Sequence, residues 1–236
     1  MMLNGRNTKL NRSCPKCESP LNDVTGTDKH IALVGGRNAG KTCLLVQATK
    51  FMLEEHQAYL PEADQKQQFE QINHLVEQGE VPPQTQRTAL YKAFQLVYQK
   101  RLFPYHLYLY DIAGENFEHV FDAASYPFYQ NLDAIIFMFD PYSIATFRER
   151  YGIPENMAYS SQEPFEVLPN LIQALEKYNS TSAIKKIKLN VMLAKSDTGY
   201  LDQISTAIDS DSPMSNSDRL KLFVSEEIGE HSFVSL

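Results

Sequence analysis

A glycine-rich segment, GGRNAGKT at residues 35–42, carries the clearest chemistry in this sequence. It fits the spacing G-x-x-x-x-G-K-[ST], and Gly35, Gly36 and Gly40 let backbone N–H groups converge on a phosphate chain without Cβ atoms in the way. The Lys41 ammonium would contact the β and γ phosphates, and the Thr42 hydroxyl would bind Mg²⁺. A triphosphate-binding loop is therefore predicted. The residues expected to contact the nucleotide here are Gly35, Arg37, Asn38, Ala39, Gly40, Lys41, Thr42 and Cys43.

Asp111 ends the apolar segment YHLYLYD, and Gly114 follows three residues later. After a phosphate-binding loop, a carboxylate at the end of a strand can hold Mg²⁺, usually through water, and a glycine N–H beyond it can meet the γ-phosphate. We expect Asp111 in that metal-binding role and Gly114 as a hinge that responds to loss of the γ-phosphate. An ordinary turn after a strand is the alternative.

The segment AKSD at residues 194–197 follows the apolar run KLNVML. A carboxylate there can accept hydrogen bonds from both the N1–H and the exocyclic amino group of guanine, a pattern that adenine does not offer. Asp197 is therefore expected to select guanine, while the methylene stem of Lys195 covers the base. The match is short, and a solvated turn is the alternative.

Alternating strands and helices place these segments at the ends of strands. The apolar run HIALV before Gly35 indicates a strand, and residues 41–57 have apolar side chains at helical spacing. A polar loop containing Pro154 and Pro164 is expected before the last of the predicted helices. The pattern predicts an α/β fold with a mostly parallel, helix-covered sheet, whose sites lie beyond the carboxyl ends of the strands. The other predicted elements are helices at 62–79 and 165–178, an antiparallel pair of strands at 88–98 and 105–111, and buried strands at 133–140 and 187–197.

Composition indicates a folded domain and limits the partners. The chain has 236 residues, of which 43% are apolar and 22% charged, as is usual for a single globular core. Its 22 basic and 29 acidic residues leave a net charge of −7, so nucleic acid is not expected as a partner. Because no apolar run could span a bilayer and no secretory signal opens the sequence, we expect a cytoplasmic protein. Residues 1–28 are expected to form a polar tail and residues 29–236 the domain.

The three cysteines are too few and too clustered for a disulfide framework. Cys14 and Cys17, in CPKC, have the spacing of half a tetrahedral zinc site, but no second pair completes it. Zinc binding and an unliganded turn therefore both stay open. Cys43 lies one residue inside the helix after the glycine-rich segment, where packing in the core is the alternative to a nucleotide contact.

The three motifs, in this order, resemble the Ras-like GTPases of the translation-factor class over residues 30–200. YDIAGE after an aromatic-rich hairpin, FDP after the next strand and the CPKC turn are similar to the bacterial double-GTPase group. The resemblance implies a three-layer P-loop NTPase fold with a six-stranded sheet, GTP and GDP as ligands with Mg²⁺, and two switch loops. It also implies a Mg²⁺-binding switch threonine, for which Thr85 is the first choice and Thr88 the second, with an ordinary loop threonine as the alternative.

Four features depart from the pattern of those GTPases. Glu115 stands where Ras proteins carry the glutamine that orients water, so hydrolysis is expected to be slow. Ala194 replaces an Asn or Thr that tethers the base-binding loop to the phosphate loop, which weakens the expected preference for guanine. Arg37 can add positive charge in cis and Asn38 can help bind K⁺, with solvent-facing side chains as the alternative. The last strand, expected after a helix at 216–229, is predicted to be missing or replaced.

The sequence thus predicts a GTP-hydrolysing switch that binds guanine nucleotide and a protein effector or larger assembly. A nucleotide-binding interaction module with little or no hydrolysis is the second interpretation, and an ATPase is the third. The predicted catalytic residues are Lys41, Thr85, Gly114 and Glu115, and the predicted Mg²⁺ ligands are Thr42, Thr85 and Asp111.

Overall fold

The structure, a computed structural model, describes residues 27–55, 58–80, 82, 93–98, 104–114 and 127–195. Within these ranges the chain forms one six-stranded sheet with helices between the strands. The strands are β1 (Thr27–Val34), β2 (Ala58–Tyr59), β3 (Phe94–Tyr98), β4 (Tyr105–Asp111), β5 (Ala134–Phe139) and β6 (Lys188–Leu193). The α-helices are α1 (Lys41–Glu55), α2 (Ala63–Glu77), α3 (Ala145–Tyr151), α4 (Pro164–Tyr178) and α5 (Thr181–Ile184). Two 3₁₀ helices span Pro127–Asn131 and Pro141–Ser143.

The sheet has the strand order β2-β3-β4-β1-β5-β6. Strand β1 is parallel to both β4 and β5, and β5 is parallel to β6. At the other edge, β3 pairs antiparallel with β4, and β2 pairs antiparallel with β3. This arrangement confirms the predicted α/β fold class, a mostly parallel sheet with one antiparallel hairpin edge.

Hydrophobic side chains on both faces of the sheet are buried under helices. Along β1, Ala32 and Val34 belong to a core that includes Leu171 of helix α4, whereas Leu33 belongs to a separate core on the other face, to which Leu45 of helix α1 contributes. The alternation follows from the two-residue period of a strand, and burial on both faces explains why residues 31–34 of β1 and all of β5 are continuously apolar. The result is a three-layer arrangement of helix, sheet and helix.

The parallel register brings the ends of four strands to one edge of the sheet. Leu33 of β1 pairs with Asp111 at the end of β4, and Val34 pairs with Phe137 of β5. Phe139, the last residue of β5, pairs with Leu193, the last residue of β6. The segments that leave β1, β4, β5 and β6 therefore start close together, as expected for a site at the carboxyl edge of a parallel sheet.

The structure adds elements that the sequence pattern does not predict. The polar loop expected between β5 and α4 contains helix α3, which has only seven residues and so shows too little periodicity to be recognised. Pro164 is the first residue of helix α4 rather than part of the loop, a position where proline is favoured because its missing N–H has no intrahelical partner. Strand β2 is a two-residue edge strand, also unpredicted. The predicted helix at 216–229 and the question of a last strand lie outside the described residues.

Candidate nucleotide-binding site

The loop from residue 35 to residue 40 joins β1 to α1 and has an unusual backbone. Asn38 and Gly40 both have positive φ angles, of 64° and 92°. Gly35 lies against β5, because a Cβ atom built on it would be 2.9 Å from both the Cβ and the carbonyl oxygen of Met138. Such left-handed residues within a tight loop turn successive N–H groups toward one side, which forms an anion-binding concavity.

Lys41, the first residue of helix α1, folds back over this loop. Its Nζ atom donates hydrogen bonds to the carbonyl oxygens of Gly35 and Gly36, each at 2.8 Å, and the side chain is only 7% exposed. Burial lowers the pKa of the Lys41 ammonium to about 8, although the Asp111 carboxylate acts in the opposite direction. A positive charge is thus held at the loop with little water around it.

Thr42 and Asp111 meet beside the lysine. The Thr42 hydroxyl donates a hydrogen bond of 2.8 Å to Oδ2 of Asp111, the last residue of β4. A hydroxyl and a carboxylate are hard oxygen donors of the kind Mg²⁺ prefers, so the pair fits this ion. In the described part of the chain, no cluster of three or more His, Cys, Asp or Glu could hold a metal by itself. Thr42 and Asp111 would therefore share a Mg²⁺ ion with phosphate oxygens and water.

Gly114 packs directly onto the glycine-rich loop. A Cβ atom built on Gly114 would lie 2.3 Å from the backbone nitrogen of Arg37 and 2.6 Å from the carbonyl carbon of Gly36. Real Cβ atoms essentially never approach so closely, so only glycine fits here. The segment that follows Asp111 thus touches the loop where the γ-phosphate is expected.

Asp140 is a functional candidate that the motif search missed, although it belongs to the FDP segment noted in the sequence. It follows β5 and is 1% exposed, and its Oδ2 atom accepts a hydrogen bond of 2.5 Å from Nζ of Lys195. Lys195 has a positive φ of 58°, which is uncommon for a residue other than glycine. The ion pair therefore holds the predicted base-covering lysine by its ammonium group. Asp140, like Asp111, is a carboxylate that comes directly after a buried strand, and this position is the signal that could have identified it.

Ala194, one of the residues that depart from the pattern of Ras-like GTPases, packs in a small apolar cluster. Together with Ala39 of the glycine-rich loop and Met138 of β5 it forms a buried group, and its N–H donates to the carbonyl oxygen of Phe139 at 2.8 Å. The segment expected to bind the base thus meets the glycine-rich loop through apolar contacts, where an Asn or Thr would offer a polar tether.

Ser160 and Gln162 also lie against the glycine-rich loop and were not identified from the sequence. Oε1 of Gln162 accepts a hydrogen bond of 3.3 Å from the backbone N–H of Arg37. A Cβ atom built on Gly36 would lie 2.1 Å from Oγ of Ser160, so a larger residue here would have to displace Ser160. No pattern in the polar segment YSSQE distinguishes these two residues, because their role depends on a contact with residues far away in the chain.

Several predicted residues lie outside the described part of the chain. Glu115 directly follows Gly114 and Asp197 lies two residues after Lys195 in the sequence, and the roles of both stay predictions. Cys43, in contrast, lies within the described part of the chain and is half-buried. Burial raises the pKa of its thiol, which favours the protonated form. The other predicted residues outside the described ranges are Thr85, Thr88, Cys14 and Cys17.

Fold and site together define a P-loop nucleotide-binding protein: a lysine and a threonine begin the helix after a glycine-rich loop, and an aspartate from a neighbouring strand bonds to that threonine. More specifically, the chain belongs to the Double-GTPase 2 family, whose model matches residues 29–233. Membership implies binding of guanine nucleotide with Mg²⁺, in agreement with the resemblance found in the motifs. A comparison with curated proteins gives no match. None of the helices in the described ranges has the length and apolar character needed to cross a membrane.

Proposed function

We propose that this protein hydrolyses GTP to GDP and phosphate with Mg²⁺ and acts as a conformational switch. The observation that carries the proposal is the meeting of three groups at one loop: the buried Lys41 ammonium, the Thr42 and Asp111 pair, and Gly114 packed on Arg37. Family membership supports guanine nucleotide as the ligand.

Catalysis in this proposal is positioning and electrostatic stabilisation. The Lys41 ammonium and the loop N–H groups bind the β and γ phosphates and offset the negative charge that develops as the bond between them breaks. Water is the nucleophile: its oxygen bonds to the γ phosphorus, GDP leaves, and a proton is released. When bound at Thr42 and Asp111, with Thr85 as the expected third ligand, Mg²⁺ supplies Lewis-acid stabilisation of phosphate charge. Glu115 in the water-orienting position is expected to make turnover slow.

The switch rests on Gly114. Because its backbone is in van der Waals contact with the loop that binds the phosphates, a change at the γ-phosphate alters the position that Gly114 can occupy. The segment next to Gly114 in the sequence would transmit that change to a protein effector or a larger assembly in the cytoplasm. Asp197 is proposed to select guanine, with Lys195 covering the base.

Two additional ligands are proposed at residues that the motifs single out. Asn38 would help bind K⁺, or Arg37 would supply positive charge beside the β and γ phosphates. Hydrolysis at the same rate in Na⁺ and K⁺ would exclude the first of these roles. Cys14 and Cys17 would provide half of a Zn²⁺ site, with the remaining ligands from elsewhere.

The alternative function is a nucleotide-binding interaction module with little or no hydrolysis, which Glu115 favours, and an ATPase is third. Multiple-turnover phosphate release from GTP and from ATP separates the three. We expect release from GTP that Lys41→Ala abolishes. The matched control is Lys50→Ala, which removes an exposed lysine of the same helix that pairs with Glu77 at 2.6 Å, and it should leave the rate unchanged. Binding without turnover would favour the module, and faster release from ATP would favour the ATPase.

A further inference from the structure

A series of hydrogen bonds through residues 140–162 links Lys195, in the segment expected to bind the base, to Arg37 in the glycine-rich loop. Oδ2 of Asp140 accepts from Nζ of Lys195 at 2.5 Å and from the backbone N–H of Ser160 at 2.7 Å. The Ser160 hydroxyl donates to the carbonyl oxygen of Gln162 and accepts from its N–H, at 3.0 and 3.3 Å. Oε1 of Gln162 then accepts from the N–H of Arg37. The series therefore runs from the base-covering lysine to the phosphate loop.

All three linking residues are buried. Asp140, Ser160 and Gln162 are 1%, 2% and 7% exposed, so the hydrogen bonds among them are shielded from competing water, whereas those to Lys195 and Arg37 are partly buried. Burying a carboxylate is costly unless it is paired and hydrogen-bonded, and Asp140 meets both conditions. We therefore treat these contacts as a fixed connection between two loops.

The segment that carries Ser160 is itself fixed by Arg148 of helix α3. Nη1 of Arg148 donates to the carbonyl oxygens of Tyr142 and Ser143 at 2.7 and 2.8 Å, and its guanidinium lies 4.2 Å from the ring centre of Tyr159. Oδ1 of Asp140 accepts from the N–H of Tyr142 at 3.1 Å. The same turn thus anchors both the carboxylate and the segment that it contacts.

We propose that Asp140, Ser160 and Gln162 are positioning residues for guanine selectivity, replacing the polar tether that Ala194 lacks. Asp140 holds the Lys195 ammonium, which leaves the methylene stem to cover the base. Through Ser160 and Gln162, the position of that lysine is tied to the phosphate loop at Arg37. Asp197, the residue proposed to select guanine, follows Lys195 by two positions in the sequence, so loosening Lys195 should affect guanine more than adenine. The inference rests on the proposed function, because it concerns how the same site selects its nucleotide.

The experiment compares affinities for GDP and ADP, which share their phosphates and differ in the base. Gln162→Met removes the acceptor that bonds to Arg37 at nearly constant volume, and Asp140→Asn removes the charge that pairs with Lys195. Each variant should lower the ratio of GDP affinity to ADP affinity by about tenfold, as expected for loss of one buried hydrogen bond. Gln173→Met, at an exposed position of helix α4, is the matched control and should leave the ratio unchanged.

The double variant tests whether the two residues act through one connection. If they do, Gln162→Met combined with Asp140→Asn should lower the ratio no further than the stronger single variant. A Gln162→Met protein that weakens GDP and ADP equally, or leaves both unchanged, would overturn the proposal, as would additive effects in the double variant. If Asp140→Asn does not fold, Gln162→Met alone decides. Wild-type protein that binds neither nucleotide, or prefers ADP, would instead refute the proposed function.

Discussion

Replacing Gly114 with alanine is the perturbation whose effect the structure defines most closely. The added Cβ atom would lie 2.3, 2.6 and 2.7 Å from Arg37 N, Gly36 C and Arg37 Cα. All three are backbone atoms, so no change of side-chain rotamer can relieve the contact. Restoring ordinary van der Waals distance requires the two segments to separate by about 1 Å, which the packed sheet beneath them resists.

The cost of Gly114→Ala can be estimated from this geometry. Overpacking of a tight contact costs about 1 to 3 kcal/mol. Displacement of the segment after β4 also strains the hydrogen bond between Thr42 and Asp111, which is worth about 1 kcal/mol. We therefore expect the free energy of unfolding to fall by about 2 kcal/mol or more. Affinity for GTP should fall about tenfold more than affinity for GDP, since Gly114 lies where the γ-phosphate is expected.

Urea unfolding and nucleotide titration measure these two effects. Gly79→Ala is the matched control, because Gly79 has a φ of 75° and no atom within 4 Å of its added Cβ. That change should cost about 1 kcal/mol through backbone strain alone and leave both nucleotide affinities unchanged. A Gly114→Ala protein with wild-type stability and an unaltered ratio of GTP to GDP affinity would refute the reasoning.

Three further predictions concern the same loop. Thr42→Ala should weaken Mg²⁺-dependent nucleotide binding about tenfold, whereas Thr42→Ser, which keeps the hydroxyl, should retain it. If nucleotide affinity depended on Mg²⁺ concentration in the same way in the two variants, the role given to the hydroxyl would be contradicted. The pKa of Lys41 is lowered to about 8 from the ordinary lysine value of 10.5, so the unfolded chain binds more protons between these two pH values. The free energy of unfolding should therefore rise with pH across this interval by up to about 1.4 kcal/mol per pH unit. Urea unfolding at increasing pH should show this rise in wild-type protein relative to Lys41→Met, and parallel pH profiles would count against it. Gly36→Ala should destabilise the protein by about 1 to 3 kcal/mol, and Ser160→Gly added to it should restore part of the loss in thermal unfolding, since Oγ of Ser160 is the nearest atom. If Ser160→Gly restored none of the lost thermal stability, the contact with Ser160 would not be the cause of the destabilisation.

Local patterns were sufficient to predict the α/β fold class and the positions of the motif segments along it. The strand predicted at 105–111 is β4, and the helix predicted after the glycine-rich segment begins at Lys41. Both depend on hydrophobic periodicity and on the position of glycine, which neighbouring residues determine. The bond between Thr42 and Asp111 follows in turn, because a parallel sheet brings the ends of its strands to one edge.

The connection through Asp140 could not be predicted in the same way. Its contact with Lys195 spans 55 residues of sequence, and the contact of Gln162 with Arg37 spans 125. Neither Ser160 nor Gln162 belongs to a periodic pattern, and helix α3, whose Arg148 contacts the neighbouring Tyr159, is too short to be recognised. Such contacts depend on packing in three dimensions, which no window of sequence contains.

The motif glycines therefore have two different physical roles in this site. Gly40 provides a backbone conformation, with a φ of 92° and no close neighbour, as a phosphate-binding loop requires. Gly36 and Gly114 provide close contact: one lies against Ser160 and the other against the loop itself. Because the glycine-rich loop is in contact with Gly114 on one side and Ser160 on the other, it cannot move toward either without displacing the backbone at Gly114 or the buried side chain of Ser160. Exchange or hydrolysis of the bound nucleotide should then shift both the segment after β4 and residues 160–162. We therefore expect residues 160–162 to change position with the nucleotide as well.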